Sequence, residues 1–203
     1  MNINLTKFKK INNLPKKGEK IVVAMSGGVD SSVTAAMLNY AGYEVIGVSM
    51  KLYEASKVSS PKTCCSGLDI RDAREVSKKL GIKHFIVDYK SRFKQSVIDD
   101  FIESYNKGYT PIPCIKCNQT VKFKDMLDFT KSIGCSYLAT GHYVKRIEKN
   151  GIVNLYQAND KFKDQSYFLF ATTQNQLKTL RFPLGYFAKN EIRNLAKFFS
   201  LNV

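Results

Sequence analysis

Lys20-Ile21-Val22-Val23-Ala24-Met25-Ser26-Gly27-Gly28-Val29-Asp30-Ser31-Ser32 is the stretch that decides the fold. It opens on a short run of β-branched and apolar residues, which predicts a strand over 20–25. Two glycines then turn the chain. Beyond them Val33, Ala36, Met37 and Tyr40 recur at helical spacing, which predicts a helix over 31–40 closed by Gly42. Glycines let backbone N–H groups come close to a ligand. The unpaired N–H groups and positive dipole end of the following helix suit phosphate. Ser26, Ser31 and Ser32 add hydroxyl donors. The plain alternative is a tight turn with Asp30 or Ser31 as helix cap. The loop holds no Lys, and no G-x-x-x-x-G-K-[ST] occurs anywhere, so it is not of the Walker type.

Outward from this stretch, strands are expected over 44–50, 83–88 and 136–140. Helices are expected over 69–80, 92–106, 120–133, 165–180 and 189–199. The helix over 92–106 carries Phe93, Val97, Phe101, Ile102 and Tyr105 on one face. Residues 52–67 and 108–118 read as loops, the second built around Pro111 and Pro113. Asn150-Gly151 is a hairpin turn between two short strands. Strands alternating with helices give an α/β fold: a parallel sheet with helices on both faces and right-handed crossovers. Ligands in such sheets bind beyond the carboxyl ends of the strands. That directs attention to 26–30, to the loop after Met50, and to 140–143.

The chain has 203 residues, which suits one domain over 20–203 behind a basic N-terminal extension over 1–19. With 44% apolar and 24% charged residues it is neither disordered nor collagenous. No apolar stretch approaches the roughly 18 residues a membrane span needs. The net charge is +15, which favours polyanionic partners. Of the basic residues 26 are Lys and 6 Arg, beside 14 Asn, so part of the excess can reflect a compositional bias. The lysines of 1–19 read as a solvated tail. Five Cys and no secretory segment point to a reducing, cytoplasmic setting. There, clustered Cys suggest catalysis or metal.

Ser26–Ser31 matches S-G-G-x-D-S, the pyrophosphate loop of ATP pyrophosphatases. Gly108-Tyr-Thr-Pro-Ile-Pro-Cys114-Ile-Lys-Cys117-Asn118, followed by Val121-Lys122-Phe123, resembles G-x-T-P-x-P-x-x-x-C-N…[IV]-K-F of the tRNA-specific 2-thiouridylases. Ala139-Thr-Gly141-His142-Tyr143, Lys163-Asp164-Gln165-Ser166-Tyr167-Phe168-Leu169 and Phe182-Pro183-Leu184-Gly185 resemble further motifs of that family, in the same order. The resemblance runs from about Lys20 to the end of the chain. It implies a Rossmann-like, HUP-type PP-loop domain.

The resemblance also implies a reaction. ATP, with Mg2+, adenylates the C2 oxygen of a wobble uridine in tRNA (tRNAs for Gln, Lys and Glu) and pyrophosphate leaves. A cysteine persulfide then delivers sulfur, giving 2-thiouridine and AMP. By motif position that cysteine is Cys117, and Asp30 is the loop carboxylate. Lys116 and Lys122 are basic neighbours that would favour a Cys117 thiolate. The family pattern puts ATP against Ala24, Met25, Ser26, Gly27, Gly28, Val29, Asp30, Ser31, Ser32, Met50 and Gly141. It puts the target base against Ile112, Pro113 and Cys114, and tRNA against Lys163, Asp164 and Gln165. Some relatives have Asp at position 114, so an acid–base role there would fall to a thiol.

Partners implied are tRNA and a persulfide donor, a cysteine desulfurase or sulfur carrier, with the protein a monomer and no membrane involved. Cys64-Cys65 with Cys114 and Cys117 could supply four sulfurs to a metal, but adjacent cysteines chelate poorly, and no metal is expected. Cys135 reads as core and His84 as an ordinary strand residue. His142 either faces the ligand or fixes its own loop. The family continues beyond position 203 with a second cysteine and further domains. Two other readings stay open: a different adenylating pyrophosphatase, and a non-catalytic nucleotide- or RNA-binding remnant.

Overall fold

The computed structural model describes residues 8, 11, 14–53 and 67–203. At its centre lies strand β1 (Lys20–Ala24), parallel to β2 (Glu44–Lys51) on one side and to β4 (Leu138–Ala139) on the other. Beyond β2 lies β3 (Lys83–Asp88), and beyond β4 lies β7 (Leu180–Arg181), both parallel to their neighbours. The order is β3-β2-β1-β4-β7, and the chain reverses its direction of progress between β1 and β4. A crevice opens at such a switch point beyond the strand ends. A separate antiparallel hairpin, β5 (Lys145–Lys149) and β6 (Ile152–Tyr156), turns at Asn150-Gly151, both at positive φ. This is the hairpin that the dipeptide predicts.

Side chains alternate across a strand, so β1 feeds two cores. Ile21, Val23 and Met25 pack with helix α1 (Val29–Tyr40), with Ala73 and Val76 of α2 (Gly67–Leu80), and with Ile192, Leu195 and Ala196 of α6 (Lys189–Phe198). Val22 joins Ile46, Val48 and Met50 of β2 on the other face. There it meets two helices that each contain a π-helical stretch. One, α3, runs through Lys90–Phe93, Lys94–Ile98 and Asp99–Asn106. The other, α4, runs through Pro113–Cys117, Asn118–Asp125 and Met126–Ser132. The short α5 (Gln174–Thr179) lies between β6 and β7 and opens on a Thr173–Gln176 capping box.

Several expectations need correction. The segment 108–118 is not all loop: α4 begins at Pro113, because a proline at the first helical position has its φ already set and lacks only an N–H that would be unpaired anyway. Cys114 and Cys117 therefore stand on a helix. The helix expected over 165–180 breaks into a 3-10 turn (Ser166–Leu169), α5 and the strand β7. The strand over 136–140 shrinks to Leu138–Ala139. On α3 only Phe93 and Val97 of the apolar face are buried, while Phe101, Ile102 and Tyr105 are open to solvent. The 1–19 segment is not simply a solvated tail: Phe8 is buried, and Ile11 and Leu14 lie against the α1 side of the core. No helix among the described residues is long and apolar enough to cross a membrane.

Candidate active site

The loop after β1 is built by its own serine. Ser31 Oγ accepts the Ser26 N–H at 3.1 Å and donates to the Gly28 carbonyl at 3.1 Å. Gly28 caps α1 with no side-chain hydrogen bond, so neither Asp30 nor Ser31 is the cap. Gly27 sits at φ +79°, and a Cβ there would fall on the Asp69 carbonyl of α2. A Cβ on Gly28 would meet only Ser26 Oγ at 3.8 Å, so the loop is open on that side. Ser32 Oγ, in the first turn of α1, is buried without a hydrogen-bond partner among the described residues. Open glycine and helix N-terminus together fit a phosphate group.

This loop forms one wall of a cavity of about 610 Å³ at the switch point. That is the size range of small-molecule sites. Ala24, Met25, Ser26, Gly28, Asp30, Ser31, Met50 and Gly141 line it, and so do Pro113, Cys114, Cys117 and Gln165. Met50 and Leu52 at the end of β2 give the cavity an apolar side. The remaining positions stand outside the lining. Gly27 packs on α2, Val29 and Ser32 belong to the first turn of α1, and Ile112 and Lys163 are exposed. Asp164 is committed to its own segment: its carboxylate accepts the Ala158 N–H at 2.8 Å and the Ser166 hydroxyl at 2.6 Å. Cys64 and Cys65 lie outside the described residues.

Asp30 is not a lone carboxylate. Lys189 Nζ, at the start of α6, donates to Oδ1 at 2.7 Å and Oδ2 at 2.6 Å, and the Tyr143 hydroxyl donates to Oδ1 at 2.7 Å. Burial, the hydrogen bond to Asp30 and its negative charge all push the Tyr143 phenol up. Lys189 carried no signal in the sequence beyond opening a helix. Gly141 completes this corner, since a Cβ there would press to 3.0 Å on the Asp30 carbonyl carbon and the Ser31 nitrogen.

The two lysines beside Cys117 part ways. Lys116 pairs with Asp100 of α3 at 2.7 Å, which takes its charge from the cavity, whereas Lys122 lines it. Lys122 also helps depress His142, whose pKa falls to about 3 chiefly through burial against Phe123 and Phe182. The ring is therefore neutral at ordinary pH. Its Nδ1 is bonded to the Thr140 hydroxyl at 2.8 Å, so His142 both faces the cavity and is fixed by its loop. His84 proves to be more than a plain strand residue. Its Nε2 bonds Ser49 Oγ at 2.9 Å, and that hydroxyl donates to the Met25 carbonyl at 2.7 Å where the loop begins. Asn118, next to Cys117, donates to the Phe168 carbonyl at 3.1 Å and ties α4 to the 166–169 turn. Cys135 is buried, as expected of a core residue.

A family model described as the tRNA methyl transferase HUP domain matches residues 19–203. The chain belongs to this family. Among the relatives of this HUP-domain chain, tRNA-specific 2-thiouridylase MnmA of Wolbachia sp. subsp. Drosophila simulans (strain wRi) is 57% identical over 186 residues. That match covers 91% of this chain and 50% of the relative. The MnmA of Ehrlichia ruminantium (strain Gardel) is 52% identical over 194 residues, covering 95% of this chain and 52% of the relative. The chain thus spans about half the length of the curated relatives it matches.

Among solved structures, the U34-tRNA thiolase NcsA from Methanococcus maripaludis superposes with a TM-score of 0.61 at 19% identity. That superposition covers 97% of this chain and 62% of the thiolase. The NH3-dependent NAD synthetase from Campylobacter jejuni gives a TM-score of 0.53 at 18% identity, covering 97% of this chain and 70% of the synthetase. At such identities the likeness is one of fold. It is the parallel-sheet HUP fold that the strand order already gives.

Proposed function

We propose that this HUP domain is the ATP-dependent, adenylating domain of a tRNA-uridine 2-sulfurtransferase. The observation that carries the reading is the single cavity shared by the Asp30 loop and the Cys117 helix. Part of its lining suits a nucleotide and another part carries a thiol nucleophile. The names of the relatives point to the same reaction class.

In this reading ATP lies with its phosphates on the 26–32 loop and its base toward Met50 and Gly141. Asp30 and Asp69 are the carboxylates lining the cavity, a donor set that suits Mg2+, which prefers one or two carboxylates together with substrate phosphates. Mg2+ would supply charge neutralisation on the phosphates. Lys189 then has a second task. Asp30 would help to hold the metal, and the Lys189 ammonium beside it would supply a cation for the departing pyrophosphate. The uridine O2 attacks the α-phosphorus and pyrophosphate leaves. The terminal sulfur of a Cys117 persulfide attacks C2, and AMP leaves with the oxygen. A second thiol breaks the remaining sulfur–sulfur bond, so that 2-thiouridine is freed and a disulfide is left. Neutral His142 and the ammonium of Lys122 face this step. The sulfur is supplied to Cys117 by a persulfide donor.

The test is pyrophosphate release from ATP and Mg2+, with and without unmodified tRNA. Release stimulated by tRNA, lost in Asp30→Ala and kept in Cys117→Ser, is the expected result. Methyl transfer to tRNA, the chemistry in the family's description, would consume no ATP in this assay. Release indifferent to tRNA would instead assign the site to an adenylating enzyme with a small substrate.

A further inference from the structure

Two thiols, Cys114 and Cys117, line the same cavity. They differ in access: Cys117 is 8% exposed, whereas Cys114 lies open to solvent. Both stand at the start of α4, three residues apart, so they share one face of the helix. Helix geometry sets their Cα atoms about 5 Å apart. A disulfide spans roughly 4.4–6.8 Å between Cα atoms, so the pair is within bridging range. The segment is held on several sides. Pro113 opens it, and the Lys116 carbonyl accepts the Thr120 hydroxyl at 2.7 Å. Lys116 Nζ pairs with Asp100 at 2.7 Å, and Asn118 donates to the Phe168 carbonyl. Cys114 sits in the first turn, where N–H groups have no intrahelical acceptor, so a small closing movement breaks no helix bond of that N–H. Cys135 is no rival, since it is buried in the core and stands outside the cavity lining.

We propose that Cys114 is the thiol that resolves the sulfur-transfer intermediate, a second catalytic cysteine on the same helix as the nucleophile. It rests on the reading of the chain as a 2-thiolating domain. Once AMP has left, the base is joined through C2 to a sulfur still bonded to Cys117 Sγ. The Cys114 thiolate, its proton gone to solvent, attacks Cys117 Sγ. A Cys114–Cys117 disulfide forms and the bond from Cys117 Sγ to the transferred sulfur breaks. The electron pair of that bond goes to the transferred sulfur, which stays on C2 as 2-thiouridine once N3 takes a proton. The two thiols are together oxidised by two electrons, and the transferred sulfur is reduced. A thiol reductant then attacks the Cys114 sulfur and sets Cys117 free as thiolate. Exposure divides these roles. Burial of Cys117 shields the intermediate from stray thiols, and the open Cys114 admits the reductant.

The test begins without tRNA. The chain is charged with inorganic polysulfide, desalted, and followed for sulfide release and by peptide mass mapping. With no base present, the same attack expels hydrosulfide from a Cys117 persulfide. Wild type should release sulfide and accumulate the Cys114–Cys117 disulfide. Cys114→Ser should keep the Cys117 persulfide and release sulfide roughly a hundredfold more slowly, because the neighbouring thiol is gone. Dithiothreitol should then free the sulfide it retains, which shows that the variant was charged. With ATP, Mg2+ and unmodified tRNA, charged Cys114→Ser should hold tRNA in a covalent adduct on a denaturing gel, and dithiothreitol should release it as 2-thiouridine tRNA. Free 2-thiouridine tRNA from Cys114→Ser without reductant would overturn the assignment. So would a persulfide as lasting in wild type as in Cys114→Ser, or a disulfide from Cys117 mapped to Cys64, Cys65 or Cys135. Each of these leaves the adenylating reading standing. A wild-type chain without tRNA-stimulated pyrophosphate release would remove that reading and this step with it.

Discussion

Asp30 accepts three hydrogen bonds, two of them from an ammonium that arrives 159 residues later in the chain. This pairing neutralises a carboxylate that would otherwise repel triphosphate. Lys189→Met should leave Asp30 with only the Tyr143 hydroxyl and remove a cation from the phosphates, lowering ATP-dependent pyrophosphate release by roughly a hundredfold. Lys189→Arg should recover part of it, and the assay with both variants checks the assignment. His142 makes a different prediction, about acid. Its folded pKa of about 3 lies below the ordinary 6.5, so the unfolded chain binds more protons between those values. Stability is complete above pH 6.5 and falls as pH drops toward 3, by at most about 1.4 kcal/mol per pH unit. Urea midpoints from pH 7 to 4 should show a steeper acid loss for wild type than for His142→Gln; parallel curves would show that the ring charges freely.

At the scale of elements, α4 is the part that sequence spacing placed least well and that structure fixed most firmly. Arg92 of α3 donates to Asp125 at 2.8 Å, and Lys116 pairs with Asp100. From the other side Gln176 Nε2 reaches the Phe123 carbonyl at 2.7 Å and the Gln119 carbonyl at 3.3 Å, over the π-helical stretch. Wide turns of this kind recur at functional sites, and this one carries Lys122 into the cavity. The glycine of Phe182-Pro183-Leu184-Gly185 has an equally physical reason. A Cβ there would fall on the Val144 carbonyl and come within 2.8 Å of the Lys145 nitrogen. Backbone atoms cannot move aside as a flexible side chain can. Gly185→Ala should cost about 2–4 kcal/mol, read from urea unfolding at unchanged m-value. The apolar run of β1 and the glycine stop at Gly42 were legible in advance, because both are local patterns. The strand β7 was not, because Leu180 and Arg181 follow a helix directly and only their pairing with Leu138 and Ala139 makes them a strand.

For the whole molecule, the excess of 15 positive charges and the cavity at the switch point belong to one argument. Lysines that make no ion pair are available to a polyanion, and released counterions drive such binding. Affinity of the chain for unmodified tRNA should therefore drop by at least about tenfold between low and physiological salt, measured by anisotropy. Binding indifferent to salt would show that the charge reflects composition alone. The exposed Phe101, Ile102 and Tyr105 on α3 qualify the expectation of one apolar face: hydrophobic spacing foretold a helix there, but not how much of that face its neighbours would cover.

Sequence by itself determined the parallel α/β order, the phosphate-type loop and the residue types that could do the chemistry. Those follow from periodicities of two and of about 3.6 and from glycine's backbone freedom, all of which act over a few residues. Only the tertiary structure decided that Lys189 and Tyr143 hold Asp30, that Lys116 turns to Asp100 while Lys122 faces the cavity, and that Phe162 is presented to solvent. Each of these depends on contacts between elements distant in the chain, or on the coverage they fail to provide. No local pattern encodes that.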